Sequence, residues 1–372
     1  MIAAGVLSVP GLVVYVVAAP FFALLSLPAA FFLVSRKPST ALKEEKTLSQ
    51  NTAGNEQLSH VIVTGGSSGI GRAVAAFAAE EATALKIGKI TVIARNASRL
   101  KGTQDELEDI VRKQKAANVK IKTVSVDVTN PEALATAAKT IMEGDNNDTD
   151  KTTRCVKTFL FCCAGEAYPE KFVSMTSETF VKQAQVNQFG SIFTVQAFLP
   201  YIQAGTITLC SSVCGQVGIY GYSSYAPAKF ALRGFAEVLH AELCSKPIHV
   251  QVAYPPDTQT PGFDRENLTK PKATKLISEK AGLFQPGQIG RKMLHEAMAS
   301  NPRFAVYFDL DGWMISNLTA GFAPVTNWMD AVTQLALSSI LRWISLFYVM
   351  DFHQIIQKCD KEEDEEMKRK NS

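Results

Sequence analysis

Tyr225 and Lys229 stand four residues apart in YAPAK, and a serine pair, Ser211 and Ser212, ends an apolar run shortly before them. On a helix, residues four apart share a face. Tyrosine beside lysine suits proton transfer. A free phenol, with a pKa of about 10, is a reluctant acid near neutral pH, and a neighbouring ammonium favours the phenolate and lowers that pKa. A serine hydroxyl can hydrogen-bond a carbonyl oxygen and hold it in place. Ketone reduction needs this set. As hydride reaches the carbonyl carbon, the oxygen gains alkoxide character and an acid must supply a proton. Alone, each feature is ordinary: Tyr and Lys at this spacing mark many helix surfaces, and a serine pair after a strand marks many turns.

A second stretch bears on the same chemistry. TGGSSGIGR (64–72) follows the apolar run HVIV (60–63) and opens the alanine-rich AVAAFAAE. Gly65 permits a tight turn, Gly69 lets backbone approach a pyrophosphate, and Gly71 lets the helix pack close to the strand. The N–H groups at the helix start face an anion with the positive end of the dipole. Ser67, Ser68 and Ile70 complete the candidate phosphate loop. A glycine triplet alone is a weak signal, but strand, loop and helix in this order are the context that such a loop requires.

The elements that must carry these residues alternate. Strands are expected at 60–65, 89–95, 119–128, 154–165, 205–212 and 249–256. Helices are expected at 72–85, 97–117, 131–142, 177–198 and 224–244, with a polar loop at 143–153. The strands are continuous apolar runs, as in a parallel sheet buried on both faces. The fold class is therefore α/β, a Rossmann-type doubly wound parallel sheet. Pro227 fits a helix only in its first turn, which Ser223 or Ser224 would cap.

The chain has 372 residues, 47% hydrophobic and 20% charged, with a formal charge of +3. That charge is too small to argue for nucleic acid. The seven cysteines form no CxxC pair, which fits a reducing compartment and neither a zinc site nor a disulfide framework; no metal is expected. Residues 1–35 carry no charge, and Arg36 and Lys37 follow. The absence of a basic n-region argues against a signal peptide. A membrane anchor is expected over 1–37, with membrane lipid as a partner and the remaining chain in the cytosol. Four N-x-S/T sequons, at Asn96, Asn147, Asn267 and Asn317, are read as unused. A polar linker (38–58), a catalytic domain (59–312) and an apolar helical region with a charged tail (313–372) complete the organisation. Arg342 lies within the apolar run 331–350, so a second span, an interfacial helix and a helix over the substrate pocket all stay open.

The TGxxxGxG loop with the later YxxxK resembles the short-chain dehydrogenase/reductase family over residues 60 to about 262. The resemblance implies NADPH as cofactor. An acidic residue at the end of the second strand selects NAD in that family; here Arg95 stands there and Arg99 follows, cations suited to a 2′-phosphate. It further implies that Asp127 lies beside the adenine and that Gly165 lies under the cofactor. Pro255, in AYPPDTQTPGF, belongs to the segment near the nicotinamide, and Asn187 to a proton relay. Lys229 is implied to hold the ribose as well. The family spacing favours Ser212 over Ser211. Cys162 replaces the usual Asn, which removes one turn-stabilising hydrogen bond. The C-terminal stretches ENLTKP, LIS and GFAPVT resemble a membrane-bound branch of the family. That branch reduces long-chain sphingoid ketones on the cytosolic face of the endoplasmic reticulum. A retinoid or steroid reductase and a non-catalytic dinucleotide-binding protein are the alternatives, although a binding-only protein has no need of the acid. The sequence admits a homo-oligomer without specifying one.

Overall fold

The computed structural model describes residues 58–116, 119–146 and 155–371. The anchor at 1–37, nearly all of the linker and the Asn147 sequon lie outside the described residues. In chain order the elements are β1 (Leu58–Thr64), α1 (Gly69–Glu80), β2 (Ile87–Ala94), α2 (Ala97–Lys113), β3 (Lys120–Ser125), α3 (Pro131–Asn146) and β4 (Cys155–Cys162). Then come α4 (Ser177–Ala184), a π-helical turn (Gln185–Phe189), α5 (Gly190–Phe198), β5 (Gly205–Cys210), α6 (Tyr225–Glu242) and β6 (Ile248–Ala253). Beyond them lie α7 (Pro261–Thr269), α8 (Lys272–Ala281), α9 (Pro286–Met298), β7 (Ala305–Val306), α10 (Leu310–Leu318) and α11 (Trp328–Asn371).

The sheet has the order β3-β2-β1-β4-β5-β6-β7, and every pairing is parallel. Successive residues of a strand point to opposite faces. Accordingly Val61 and Val63 enter the core that holds Val74, Met293 and Leu294, while Ile62 enters the one that holds Phe198 and Leu239. Neither face of β1 meets water, which is why its sequence shows no alternation. The strand order reverses between β1 and β4, and the carboxyl ends at that point form the crevice where sheets of this kind bind ligands.

Several boundaries differ from the sequence reading. α1 starts at Gly69 and stops at Glu80; residues 81–86 form turns, with Lys86 at φ 53°. β3 stops at Ser125, because Asp127 folds onto Thr129, accepting from its N–H at 2.9 Å and its hydroxyl at 2.8 Å. α3 continues to Asn146, into the stretch read as loop. The helix expected over 177–198 is interrupted by the π turn, and β7 is too short to leave a pattern. Pro227 sits in the first turn of α6, but the Ser224 hydroxyl accepts from Gln183 instead of capping the helix.

α11, at 44 residues, is about 66 Å long. Among the described residues it is the one helix long and apolar enough to cross a membrane. Its first half exposes Leu335, Trp343, Phe347 and Met350. Its second half is held to the domain by Lys280–Asp351 at 2.5 Å and Lys272–Glu362 at 2.6 Å, and by Lys171 on Glu363.

Candidate active site

Two backbone features shape the loop between β1 and α1. Gly65 has φ +69°, and a Cβ there would lie 2.6 Å from the Ala164 nitrogen. A Cβ on Gly71 would lie 2.6 Å from the Gly65 oxygen, so the first turn of α1 closes on the loop only without a side chain. The loop borders a cavity of about 300 Å³ lined by Gly65, Ser67, Ser68, Gly69, Ile70 and Gly71. Arg95, Arg99, Gly165, Ser211, Ser212, Tyr225, Lys229 and Pro255 line the same cavity. It lies at the carboxyl edge of β1, β2, β4, β5 and β6. A Cβ on Gly165 would sit 2.8 Å from Asn187 Oδ1 and 3.3 Å from Lys229 Nζ, so the cavity floor has no room for a side chain there. This cradle fits a dinucleotide: bare backbone, a helix N-terminus and two cations meet in it.

Arg95 and Arg99 are both exposed, and Arg95 faces two carboxylates. Its guanidinium lies 3.7 Å from Asp127 and 3.6 Å from Glu166, too far for tight hydrogen bonds. Arg99 sits one turn into α2, whose N-cap Asn96 accepts from the Arg99 N–H at 2.9 Å. Asp127 itself is not part of the lining; it secures the turn after β3, whose neighbours Val126 and Val128 face the cavity. Asn187 is also absent from the lining. It is fully buried in the π turn, donating to the Glu166 and Gln183 carbonyls at 2.7 and 2.9 Å and accepting from the Glu166 N–H at 3.1 Å. It therefore braces the segment after β4 from behind Gly165. Cys162 is buried, its thiol 4.0 Å from the Ser191 carbonyl.

At the other end, the two serines have different partners. Ser211 is buried and donates its hydroxyl to the Lys229 carbonyl at 2.9 Å. The Ser212 hydroxyl accepts from the Cys214 N–H at 3.2 Å and retains its own proton for another acceptor. Lys229 is buried, donates to the Cys210 carbonyl at 2.9 Å, and lies 5.5 Å from the centre of the Tyr225 ring. Burial pulls its pKa down. Tyr225 keeps part of its surface open to the cavity. Its hydroxyl is nonetheless pushed well above the ordinary range, chiefly by burial, with the neighbouring Cys214 and Glu266 adding to it, against a lowering contact from Ser212. The expected fall in the tyrosine pKa is thus absent from the protein alone, because desolvation exceeds the effect of a lysine engaged with a carbonyl.

Sequence reasoning missed several lining residues: Asn96, Tyr222, Asp257, Thr260 and Glu266. Asn96 carried a signal, an N-cap residue directly before a helical pattern. Asp257 and Thr260 lie in AYPPDTQTPGF, the segment that the resemblance placed near the nicotinamide, while Tyr222 and Glu266 come from before α6 and from α7, whose return to the cavity no local pattern encodes.

The family model described as short chain dehydrogenase matches residues 59–271. A 3-dehydrosphinganine reductase of Danio rerio is 37% identical over 304 residues, covering 81% of this chain and 86% of the relative. A 3-ketodihydrosphingosine reductase of Bos taurus is 35% identical over 303 residues, with the same two coverages. Among solved structures, a short-chain type dehydrogenase/reductase of Mycobacterium ulcerans superposes with a TM-score of 0.54 at 17% identity, covering 66% of this chain and 84% of that one. An actinorhodin polyketide ketoreductase solved with NADPH gives 0.54 at 20% identity, covering 65% and 91%. At those identities the structures speak to the fold.

Proposed function

The chain belongs to the short-chain dehydrogenase family, and from that premise we propose that it reduces 3-ketodihydrosphingosine to sphinganine with NADPH. One observation carries the reading: Tyr225, Lys229 and Ser212 line the same cavity as the glycine loop. The names of the relatives supply the substrate class.

Bound there, NADPH supplies hydride to the ketone carbon. The protein does the rest. The N–H groups at the start of α1 would hold the pyrophosphate, and Arg95 and Arg99 would hold the 2′-phosphate. Gly165 leaves the floor clear. Ser212 donates a hydrogen bond to the ketone oxygen and fixes its position. The Tyr225 hydroxyl then gives its proton to that oxygen as negative charge develops on it. Lys229 lies close enough to stabilise the phenolate this leaves and to hold the ribose. Asn187 takes a bracing position behind the cofactor floor.

Residues 1–37 and the exposed half of α11 anchor the chain at the endoplasmic reticulum, with residues 59–312 as the catalytic domain facing the cytosol. Arg36 and Lys37 after the uncharged run support that orientation. Two sequons fit it as well: Asn317 is buried, and Asn96 caps α2.

The test is NADPH oxidation by the purified full-length protein in detergent, with 3-ketodihydrosphingosine added and sphinganine identified by mass. Ketone-dependent oxidation is expected. Turnover of a retinoid or steroid ketone in its place would assign the chain to another branch of the family.

A further inference from the structure

A 2-amino-3-ketone carries an ammonium one carbon from the carbonyl that is reduced. An apolar site alone binds the alkyl chain of any long ketone equally well, so selecting the amine requires an ammonium-binding group near the proton donor, and a carboxylate is the strongest such group. Three carboxylates line the cavity: Glu166, Asp257 and Glu266. Glu166 belongs to the cofactor end, beside Arg95. Asp257 accepts from Ser278 and lies 3.8 Å from Lys270. Glu266, on α7, is placed differently. The Tyr222 hydroxyl donates to its Oε1, and Lys270 approaches the same oxygen at 2.9 Å. Both donors converge on Oε1, which leaves Oε2 for a further donor. The side chain keeps 14% of its surface open.

Charge balance points the same way. The Lys270 ammonium is 1% exposed, is shared between Glu266 and Asp257, and sits 4.4 Å from the centre of the Phe263 ring. Within this buried cluster one cation faces two carboxylates, while Arg265 borders the same cavity as an exposed side chain. The Tyr222 ring, hydrogen-bonded to Glu266 through its hydroxyl, lies 5.6 Å from the Tyr225 ring. Glu266 is therefore one aromatic ring away from the proton donor, and its charge is among those that raise the Tyr225 hydroxyl.

We infer that Glu266 is the specificity-determining residue that binds the protonated amine of the sphingoid ketone, beside Tyr225. The inference rests on the reductase reading above. It is tested with full-length protein, NADPH and two substrates, 3-ketodihydrosphingosine and its 2-desamino analogue. The wild type is expected to prefer the amine by about ten- to a hundredfold in kcat/KM, the range of a charge-assisted contact. Glu266→Gln keeps the shape and removes the charge; the ratio should fall to about one through a raised KM for the amine substrate. Glu266→Asp should keep part of the preference. A wild type that reduces both ketones equally overturns the inference, as does a Glu266→Gln variant whose ratio is unchanged; the reductase reading survives either result. A wild type that reduces neither ketone overturns the reductase reading itself. Should Glu266→Gln not fold, the wild-type ratio against pH decides. It must decline as the substrate amine loses its proton, near pH 8 by analogy with an α-amino group. Tyr222, Lys270 and Asp257 surround Glu266, and Tyr225 serves as donor, whichever ketone is bound. A preference that persists above that pH overturns the inference.

Discussion

At the scale of single residues, protonation and charge do the selecting. Burial keeps the Tyr225 hydroxyl above the ordinary tyrosine range, with Glu266 among the charges that add to it. A proton donor is active in its protonated form, so a raised pKa extends activity toward high pH. The kcat/KM for ketone reduction should stay level through neutral pH and fall only on the alkaline side; a loss centred near pH 7 would contradict this assignment of the donor. On the proposed reading, Arg95 and Arg99 set cofactor choice. Neutralising both should weaken NADPH binding by about ten- to a hundredfold per lost phosphate contact and leave NADH binding nearly unchanged. Fluorescence titration with the two cofactors measures this, and equal affinities in the wild type would remove the arginines from the argument. These residues were legible because their chemistry is local: a cation after a strand, Tyr and Lys on one helix face. Glu266 was not. It reaches Tyr225 only through Tyr222 and the path of the chain after β6, and neither contact leaves a spacing in the sequence.

Among the elements, backbone shape matters more than side-chain identity. The continuous apolar runs announced a parallel sheet because both faces of β1 are buried, and the glycine loop announced its ligand because strand, loop and helix come in order. The π turn was invisible, since residues 177–198 read as an uninterrupted helix; only the structure shows Asn187 turned inward to brace the Glu166 backbone. β7 has two residues and no pattern. α3 ran past its expected end because polar side chains mark solvent as readily as they mark a loop. Gly165, in the segment after β4, tests the element scale. A methyl there would meet Asn187 Oδ1 at 2.8 Å and Lys229 Nζ at 3.3 Å. Gly165→Ala should destabilise the fold by about 1–3 kcal/mol through overpacking. NADPH affinity should fall by at least about tenfold, the effect of 1.4 kcal/mol. Denaturant unfolding and cofactor titration read the two effects separately. Wild-type NADPH affinity would show that Gly165 does not form the floor.

For the whole molecule, the question is how an α/β core meets a lipid substrate. α11 joins the two: its charged half is clamped to the core by Lys171, Lys272 and Lys280, and its apolar half is exposed. Burying each large apolar side chain gains roughly 1.5–3 kcal/mol, so on the proposed reading Trp343, Phe347 and their neighbours hold the membrane. A chain lacking residues 1–37 should therefore still float with phospholipid vesicles, and replacing Leu335, Trp343 and Phe347 with serine should release it. A truncated chain that stays in the aqueous fraction would show that α11 packs elsewhere. The central claim, however, is chemical: Tyr225 gives the proton that completes ketone reduction. Tyr225→Phe removes one hydroxyl and keeps the ring. Single-turnover reduction of 3-ketodihydrosphingosine, with NADPH binding measured on the same preparation, tests it most directly. The expected result is unchanged cofactor binding with a rate lowered by about 10²–10⁴, or roughly 3–5 kcal/mol in the barrier; a variant that binds NADPH and reduces the ketone at the wild-type rate would contradict it.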